Sequence, residues 1–195
     1  MRRIGIFGGT FDPPHVGHLA LAECARERLR LDEVRFVPAG RPPHKSGGRI
    51  TSAAERVAMA RLAVRGNAAF TVSTHETRRQ GPSFTIETLR HVAAGALRTR
   101  LFLLIGADSL DDFASWREPE AILRLATLVV AGRPGVPRAG RRRPRRGPVH
   151  LDNPEIAVSS SLVRARVRAG RSVRYLVPDA VSAYIARHGL YRGRL

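Results

Sequence analysis

Two histidines, His15 and His18, lie three residues apart in the stretch GGTFDPPHVGHL at residues 8–19. The apolar run at residues 4–7 predicts a buried strand before this stretch, and the helical spacing of apolar side chains over residues 19–29 predicts a helix after it. At a helix start, this separation puts both imidazole rings on one face, beside backbone N–H groups that lack partners within the helix. The helix N-terminus also carries partial positive charge. The stretch therefore predicts a site for anionic oxygens, most naturally phosphates.

Paired glycines or two histidines also occur in purely structural roles, but the complete string is far more specific. It resembles the HxGH signature of the nucleotidylyltransferase superfamily, in the GGTFDPxHxGH form of nicotinate-nucleotide adenylyltransferases. The resemblance implies that His15 and His18 hold the ATP phosphates and stabilise charge during catalysis. For Asp12, a cap of the turn and a contact with substrate both remain open. The backbone is implied to approach ATP at Gly8, Gly9, Thr10 and Phe11.

The formal net charge is +18 at pH 7, and Lys45 is the only lysine among 34 basic residues. Such a charge is compatible with nucleic-acid binding. The arginines, however, are scattered over all segments, and only residues 138–146, RAGRRRPRR, form a concentrated block. We interpret residues 136–148 as a basic, flexible surface loop without a catalytic role. Nucleic acid is not an expected partner, and an RNA- or DNA-binding protein is the alternative from another functional class.

Length and composition favour one domain over residues 1–195, and the hydrophobic fraction of 43% is typical of a globular protein. The sequence has no apolar run of about 18 residues, which a transmembrane helix would need. No signal-peptide pattern follows Arg2 and Arg3, so we expect a cytoplasmic protein without membrane contact. Cys24 is the only cysteine, which excludes an internal disulfide and a Cys-rich metal site.

A second strand is predicted over residues 33–38, and the loop after it reads AGRPPHK. Loops at the carboxyl ends of parallel strands form the ligand crevice of open α/β sheets. This loop therefore places His44 and Lys45 where they could bind a phosphate. The alternative is a solvated proline-rich loop. The sequence PPHK is similar to the corresponding segment of the adenylyltransferases. The resemblance implies that this loop approaches the ATP phosphates, with Lys45 catalytic and both residues contacting the mononucleotide.

The apolar run at residues 101–105 predicts a central strand buried on both faces, and GADSL follows it. Asp108 could cap the next helix, whereas the similarity of GADSL to the family's GxDSL implies a contact with the nucleotide ribose. Trp116 ends the sequence FASW, which resembles the family's FxxW, whose tryptophan stacks on the nicotinate ring. A core position is the alternative for this side chain. Arg117 is a candidate partner of the ligand carboxylate.

The segment RQGPSFTIETL at residues 79–89 resembles the family's GxSYTxDTL stretch. In that family the aromatic residue and the following threonine lie against the pyridine ring and its carboxylate. Phe84 replaces the commoner tyrosine, so a hydroxyl contact is absent here, whereas Thr85 is retained. From the residues alone, a core position for Phe84 and a helix cap for Thr85 stay open.

Three serines and an arginine are combined in VSSSLVR at residues 158–164. Serine hydroxyls at a helix start can cap free N–H groups or bind phosphate, and an arginine can clasp phosphate with two N–H groups. The segment resembles ISSTxIR, the second signature of the family, which implies a catalytic role for Arg164. The implied ATP contacts are Ser159, Ser160, Ser161 and Arg164.

Two further segments extend the resemblance over nearly the whole chain outside residues 136–148. The sequence GRPG at residues 132–135 resembles the family's RPG stretch, so Arg133 is a candidate ATP contact. The end of the chain, residues 175–191, matches the family's YLVPxxVxxYIxxxxLY tail, which we interpret as structural and without chemistry. Strands alternate with helices throughout, which predicts an α/β single domain with a doubly wound parallel sheet. Local patterns predict a capping box at Ser52 and Glu55, a loop over residues 75–81, and a final strand pair or bulged strand at residues 149–151 and 156–158. The resemblance implies the Rossmann-like nucleotidylyltransferase version of that fold.

The resemblance also implies a reaction, in which ATP and nicotinate mononucleotide give deamido-NAD and pyrophosphate. The mononucleotide phosphate would attack the ATP α-phosphorus directly, and Mg²⁺ would be held mainly by the substrate phosphates. Nicotinamide mononucleotide and phosphopantetheine are the alternative acceptors. The oligomeric state stays open, and a homo-oligomer is compatible with the sequence.

Overall fold

The computed structural model describes residues 1–41, 50–95, 98–132, 147–154 and 156–193. Neighbouring strands are parallel throughout one six-stranded sheet. The strands are β1 (Arg2–Gly9), β2 (Glu33–Pro38), β3 (Phe70–Val72), β4 (Thr99–Ile105), β5 (Ala126–Val130) and β6 (Val149–His150). Their order, β3-β2-β1-β4-β5-β6, is that of a doubly wound, Rossmann-like sheet. In such sheets ligands bind outside the carboxyl ends of the strands where the order reverses, which is here between β1 and β4.

Helices follow most strands, and several of their ends are fixed by local chemistry. They are α1 (Val16–Leu29), α2 (Ala53–Val64), α3 (His75–Arg78), α4 (Thr85–Ala94), α5 (Ala107–Asp111), α6 (Pro119–Leu125), α7 (Ser160–Arg168) and α8 (Asp179–Arg187), with a 3₁₀ turn at Phe113–Ser115. The Ser52 hydroxyl accepts from the Glu55 N–H at 3.3 Å, and the Glu55 carboxylate accepts from the Ser52 N–H at 3.2 Å. This capping box, which the sequence predicts, starts α2.

The two faces of the sheet carry separate apolar layers, because side chains along a strand alternate between faces. Leu101, Leu103 and Ile105 of β4 pack with α4 and α6 on one face. Phe102 and Leu104 of the same strand pack with α1 on the other face. The continuous apolar run of β4 therefore reflects burial on both sides, as predicted.

A third apolar cluster lies beside the sheet and joins three helices. It contains Met59 and Ala63 of α2, Val163 of α7, and Val181 and Ile185 of α8. Through this cluster the last third of the chain is brought back to α2, which follows β2. The cluster thus positions α7 and the end of the chain next to the loops that leave the carboxyl edge of the sheet.

The doubly wound parallel sheet predicted from the sequence is confirmed, with two local differences. Residues 156–158, predicted as part of a final strand pair or bulged strand, form no strand, and β6 spans two residues. The stretch from His75, predicted as a loop, begins with the short helix α3. None of the helices in the described ranges has the length and apolarity that a membrane span requires.

Candidate active site

The predicted phosphate-binding turn connects β1 to α1 at the carboxyl edge of the sheet. His15 is the N-cap residue of α1, with φ −141° and ψ 171°, and His18 is the third helical residue. The His15 N–H donates to Nδ1 of His18 at 3.1 Å. The two imidazole rings stack with centroids 3.6 Å apart. Both rings therefore lie together at the N-terminus of α1, as the three-residue spacing predicts.

Glycines and a buried aromatic residue shape the space around the two histidine rings. A Cβ atom at Gly17 would lie 3.1 Å from Nδ1 of His15, so the glycine leaves room for the ring. Phe11 is 1% exposed and meets the His18 ring edge-on, with centroids 5.1 Å apart. At Gly9 a Cβ would lie 3.0 Å from the Phe11 ring, whereas at Gly8 it would meet nothing within 4 Å. Phe11 is thus packed against His18 inside the protein, and the open space at this turn lies beside Gly8.

His15 is only 7% exposed, and this burial determines the charge of its imidazole ring. Desolvation lowers the pKa of His15 from its usual 6.5 to about 4, so the ring is neutral near pH 7. Within the described part of the chain, Nδ1 of His15 has no hydrogen-bond partner. A ligand phosphate beside this ring would supply an acceptor and favour the imidazolium form.

The N-terminal end of α7 is attached to the same turn. Ser160 donates its hydroxyl to the Pro13 carbonyl at 2.8 Å. Arg164 donates through Nη1 to the Asp12 carbonyl at 2.7 Å and through Nη2 to the Ser161 hydroxyl at 3.1 Å. Ser159 is the N-cap residue and accepts from the Leu162 N–H at 3.1 Å. The predicted second signature therefore lies directly against the histidine turn, and the capping role weighed for its serines is found at Ser159.

A second group of predicted residues lies on the α4 side of the sheet. Trp116 is half-buried, and its ring centroid is 5.4 Å from that of Phe113. The Arg117 guanidinium lies 4.8 Å from the centre of the Phe84 ring and 3.7 Å from the Glu87 carboxylate. Phe84 and Trp116 both pack against the apolar layer that contains α4. This group therefore combines two partly accessible aromatic rings with an exposed cation.

Thr85 and Asp108, also predicted as site residues, lie in the first turns of α4 and α5. Thr85 is the first residue of α4, and the N-cap position belongs to Phe84, so the capping role weighed for Thr85 is not found. Asp108 is exposed in the first turn of α5, whose N-cap residue is Gly106. Asp108 therefore does not occupy the cap position that was its alternative role.

Ser83 joins the loops that follow β2 and precede α4. Its hydroxyl accepts from the Gly40 N–H at 2.9 Å, and its N–H donates to the Arg41 carbonyl at 3.1 Å. At Gly40 a Cβ would lie 2.3 Å from the Glu76 carbonyl, which explains why the approach of these loops requires glycine. His44 and Lys45 follow Arg41 in the sequence but lie outside the described residues, as does Arg133.

Comparison with known proteins assigns the chain to a family. Residues 6–166 match the family model described as "Cytidylyltransferase-like". A Thermomicrobium roseum protein named "Probable nicotinate-nucleotide adenylyltransferase" is 46% identical over 198 residues, covering 98% of this chain and 92% of that protein. A protein of the same name from Thermus thermophilus is 47% identical over 190 residues, covering 97% and 100% respectively. The chain belongs to the nicotinate-nucleotide adenylyltransferase family.

Solved structures of another adenylyltransferase have the same fold as this chain. A Plasmodium falciparum nicotinic acid mononucleotide adenylyltransferase complexed with NaAD superposes with a TM-score of 0.76 and 17% identity, covering 98% of each chain. The same protein complexed with APC gives a TM-score of 0.74 and 16% identity, again with 98% coverage of each chain. The chain is an adenylyltransferase of NAD biosynthesis. It shares its fold with a protein to which it is only 16–17% identical.

Two further residues of this adenylyltransferase, Arg56 and Tyr191, bind the segment between β1 and the histidines, and neither is predicted as a site residue from the sequence. Arg56 of α2 is 2% exposed and donates to the carbonyls of Thr10 at 2.9 Å, Thr51 at 3.0 Å and Gly40 at 3.2 Å. Tyr191 donates its hydroxyl to the Asp12 carboxylate at 2.7 Å. Arg56 lies three and four residues before Met59 and Ala60, a spacing that places its side chain on the buried face of α2. For Tyr191 no local signal exists.

Proposed function

We propose that the protein transfers the adenylyl group of ATP to nicotinate mononucleotide, giving deamido-NAD and pyrophosphate. The observation that carries this proposal is the stacked pair of His15 and His18 at the N-terminus of α1, where β1 ends beside β4. Arg164 reaches the same turn from α7. These cationic and N–H donors suit a polyphosphate. The printed names of the relatives supply the substrate class, and the P. falciparum structure contains NaAD.

The proposed step is a direct displacement at the ATP α-phosphorus. An oxygen of the mononucleotide phosphate forms the new P–O bond, and the bond between the α-phosphorus and the bridging oxygen to the β-phosphate breaks. The electron pair of that bond leaves with pyrophosphate. The attacking phosphate is already anionic near pH 7, so no general base has to remove a proton. Catalysis then consists of alignment and of stabilising the charge that develops on the phosphates.

In this proposal the predicted residues divide between the two substrates. His15, His18, Lys45 and Arg164 neutralise phosphate charge. The three serines at the start of α7, Arg133, Asp108 and the glycine turn bind the rest of ATP. Trp116, Phe84, Thr85 and Arg117 bind the nicotinate moiety, with His44 and Lys45 on its nucleotide phosphate. Because Arg117 lies near Glu87, a ligand carboxylate would compete with Glu87 for this guanidinium.

Mg²⁺ would enter this reaction on the substrate. Serine hydroxyls, imidazoles and a guanidinium surround the histidine turn, and these groups suit phosphate oxygens better than a hard cation. The Asp12 carboxylate already accepts two hydrogen bonds. ATP oxygens and water would therefore hold the ion, which would add positive charge to the phosphates.

The acceptor is tested by measuring pyrophosphate release from ATP with nicotinate mononucleotide, nicotinamide mononucleotide or phosphopantetheine as the second substrate. We expect the highest kcat/KM with nicotinate mononucleotide. Equal or better use of phosphopantetheine would refute the proposed acceptor, and equal use of nicotinamide mononucleotide would refute the preference for the acid.

The role of the histidine turn is tested with His18→Ala and with His188→Ala as a control. We expect His18→Ala to lower kcat by roughly 10²–10³-fold, the range for loss of one group that stabilises developing charge. His188 is exposed at the end of α8, so its replacement should leave kcat within about twofold of wild type. Near-normal turnover by a folded His18→Ala variant would rule out the assigned role.

A further inference from the structure

Asp12, three residues before His15, is buried and binds three other segments of the chain, and we call this set of contacts the junction. The residue is 4% exposed, and each carboxylate oxygen has a donor. Oδ1 accepts from the Tyr191 hydroxyl at 2.7 Å, and Oδ2 accepts from the Thr51 N–H at 3.2 Å. The backbone carbonyl of Asp12 accepts from Arg164 at 2.7 Å. One residue of the histidine turn is thereby tied to the start of α2, to α7 and to the end of the chain.

Tyr191 reaches Asp12 from four residues beyond the end of α8. Its backbone has a φ of 63°, which is uncommon for a residue with a side chain and carries a conformational cost. The hydroxyl also lies 3.8 Å from Sδ of Met59, within the apolar cluster of α2, α7 and α8. Burial and the neighbouring Asp12 carboxylate raise the pKa of Tyr191, so its hydroxyl stays protonated and donates.

Arg56 completes the junction from the other side. Its guanidinium binds the carbonyl of Thr10, in the turn after β1, and the carbonyl of Thr51, two residues before α2. Burial lowers the pKa of Arg56, and the negative charge of Asp12 opposes this shift. Arg56 and Arg164 thus place positive charge near a carboxylate that is directed away from solvent. With both oxygens engaged by donors of the protein, this carboxylate is arranged to hold the chain rather than to contact substrate.

We propose that Asp12 and Tyr191 are positioning residues for adenylyl transfer, because they fix the turn that carries His15 and His18. This inference rests on the proposed function for its catalytic consequence. It makes the end of the chain part of the active site, although Tyr191 touches neither substrate. The sequence left open a cap of the turn or a contact with substrate for Asp12, whereas its carboxylate binds the segment before α2 and Tyr191. The role that we propose is therefore a third one.

The first experiment compares Tyr191→Phe with Tyr184→Phe. Tyr191→Phe removes only the hydroxyl that binds Asp12. Tyr184 packs against the same apolar cluster and stacks on His188, so Tyr184→Phe removes a tyrosine hydroxyl from this region without removing the Asp12 contact. We expect Tyr191→Phe to lower kcat about tenfold with KM for ATP changed by less than about twofold, because misplacement of catalytic groups acts on the transition state. Tyr184→Phe should be within about twofold of wild type in both constants. A purely structural hydroxyl would lower the melting temperature and leave kcat unchanged at 25 °C.

The second experiment compares Asp12→Asn with Asp12→Ala. In Asp12→Asn the amide oxygen can accept from Thr51, and the amide nitrogen can donate to the Tyr191 oxygen. We expect kcat within about fivefold of wild type for Asp12→Asn and a loss of about 10²-fold for Asp12→Ala. A carboxylate that acted as a base or touched the reacting phosphates would instead lose about 10²-fold or more in both variants. Adding Tyr191→Phe to Asp12→Ala should cause little further loss, because the shared contact is already gone.

Hydrogen exchange tests the positioning independently of the reaction. The amides of residues 15–18 should exchange faster in Tyr191→Phe than in wild type and in Tyr184→Phe. Unchanged exchange, or faster exchange with an unchanged kcat, would overturn the inference. If wild type prefers another acceptor, the proposed function fails, and the same kcat ratios measured with that acceptor, together with the exchange rates, still decide the role of Asp12 and Tyr191.

Discussion

His15 shows how the burial of one ring couples the active site to protons. Its pKa is about 4 in the folded protein, and an exposed imidazole in the unfolded chain titrates near 6.5. Below pH 6.5 the unfolded state therefore binds a proton that the folded state does not. Stability is then lost as the pH falls from about 6.5 to about 4, by roughly 1.4 kcal/mol per pH unit. The fold thus keeps a neutral imidazole at the phosphate site at some cost at acid pH.

This cost is measurable with the variant His15→Asn, which keeps a good N-cap residue and has no titrating ring. Between pH 7 and pH 5, wild type should lose about 2 kcal/mol more unfolding free energy than the variant. Urea unfolding at the two pH values gives the difference, in which the contributions of all other groups cancel. Equal losses in the two proteins would contradict the low pKa of His15.

The residues of the phosphate site could be predicted from the sequence wherever their determinants are local. The spacing of His15 and His18, and that of Ser160 and Arg164, is set by a single helix start, so the pattern carries its own geometry. The contact between Tyr191 and Asp12 joins residues 179 positions apart. No periodicity or motif spacing encodes such a pair, so the prediction of a structural tail could name no partner for Tyr191.

At the scale of elements, α2 is joined through Arg56 to the loops that follow β1 and β2. Its side chain holds one carbonyl after β1, one after β2 and one before α2. Arg56→Lys keeps the charge but presents a single ammonium, which cannot reproduce three contacts made by a planar fork. We expect a loss of about 2–4 kcal/mol, because buried carbonyls would be left without donors. Thermal unfolding measures this loss, and Arg61→Lys, an exposed position of the same helix, should leave the midpoint unchanged. Equal midpoints for the two variants would contradict this role of Arg56.

Strands were easier to predict than the connections around them. β4 contains a continuous apolar run at residues 101–105, and its burial on both faces leaves a direct signal in the sequence. The short helix α3 was missed because its four residues are too few to show helical periodicity. Residues 156–158 have an apolar pattern typical of a strand, but these residues lie beyond β6, which pairs with β5 through only two residues. Val158 packs instead against the apolar cluster of α2, α7 and α8.

For the molecule as a whole, the net charge of +18 is the property most relevant to its proposed substrates. ATP and a mononucleotide are both anionic, so a positive field raises their local concentration at the crevice. Salt screens such a field over about 10 Å at 0.1 M ionic strength. We therefore expect kcat/KM to fall about tenfold between roughly 0.05 M and 0.5 M salt, mainly through KM, whereas contacts inside the crevice keep kcat nearly constant.

The arginine block at residues 138–146 should contribute to this field through charge alone. Replacing its six arginines by serine should weaken the salt dependence of KM and leave kcat within about twofold of wild type, because we assign the block no catalytic role. Replacing the same six by lysine keeps the charge and should preserve the salt dependence. Initial rates at several salt concentrations separate these outcomes. A tenfold fall in kcat in the serine variant would show that the block contacts the reacting groups. Different salt responses of the lysine variant and wild type would show that the guanidinium group itself, and not only its charge, is required.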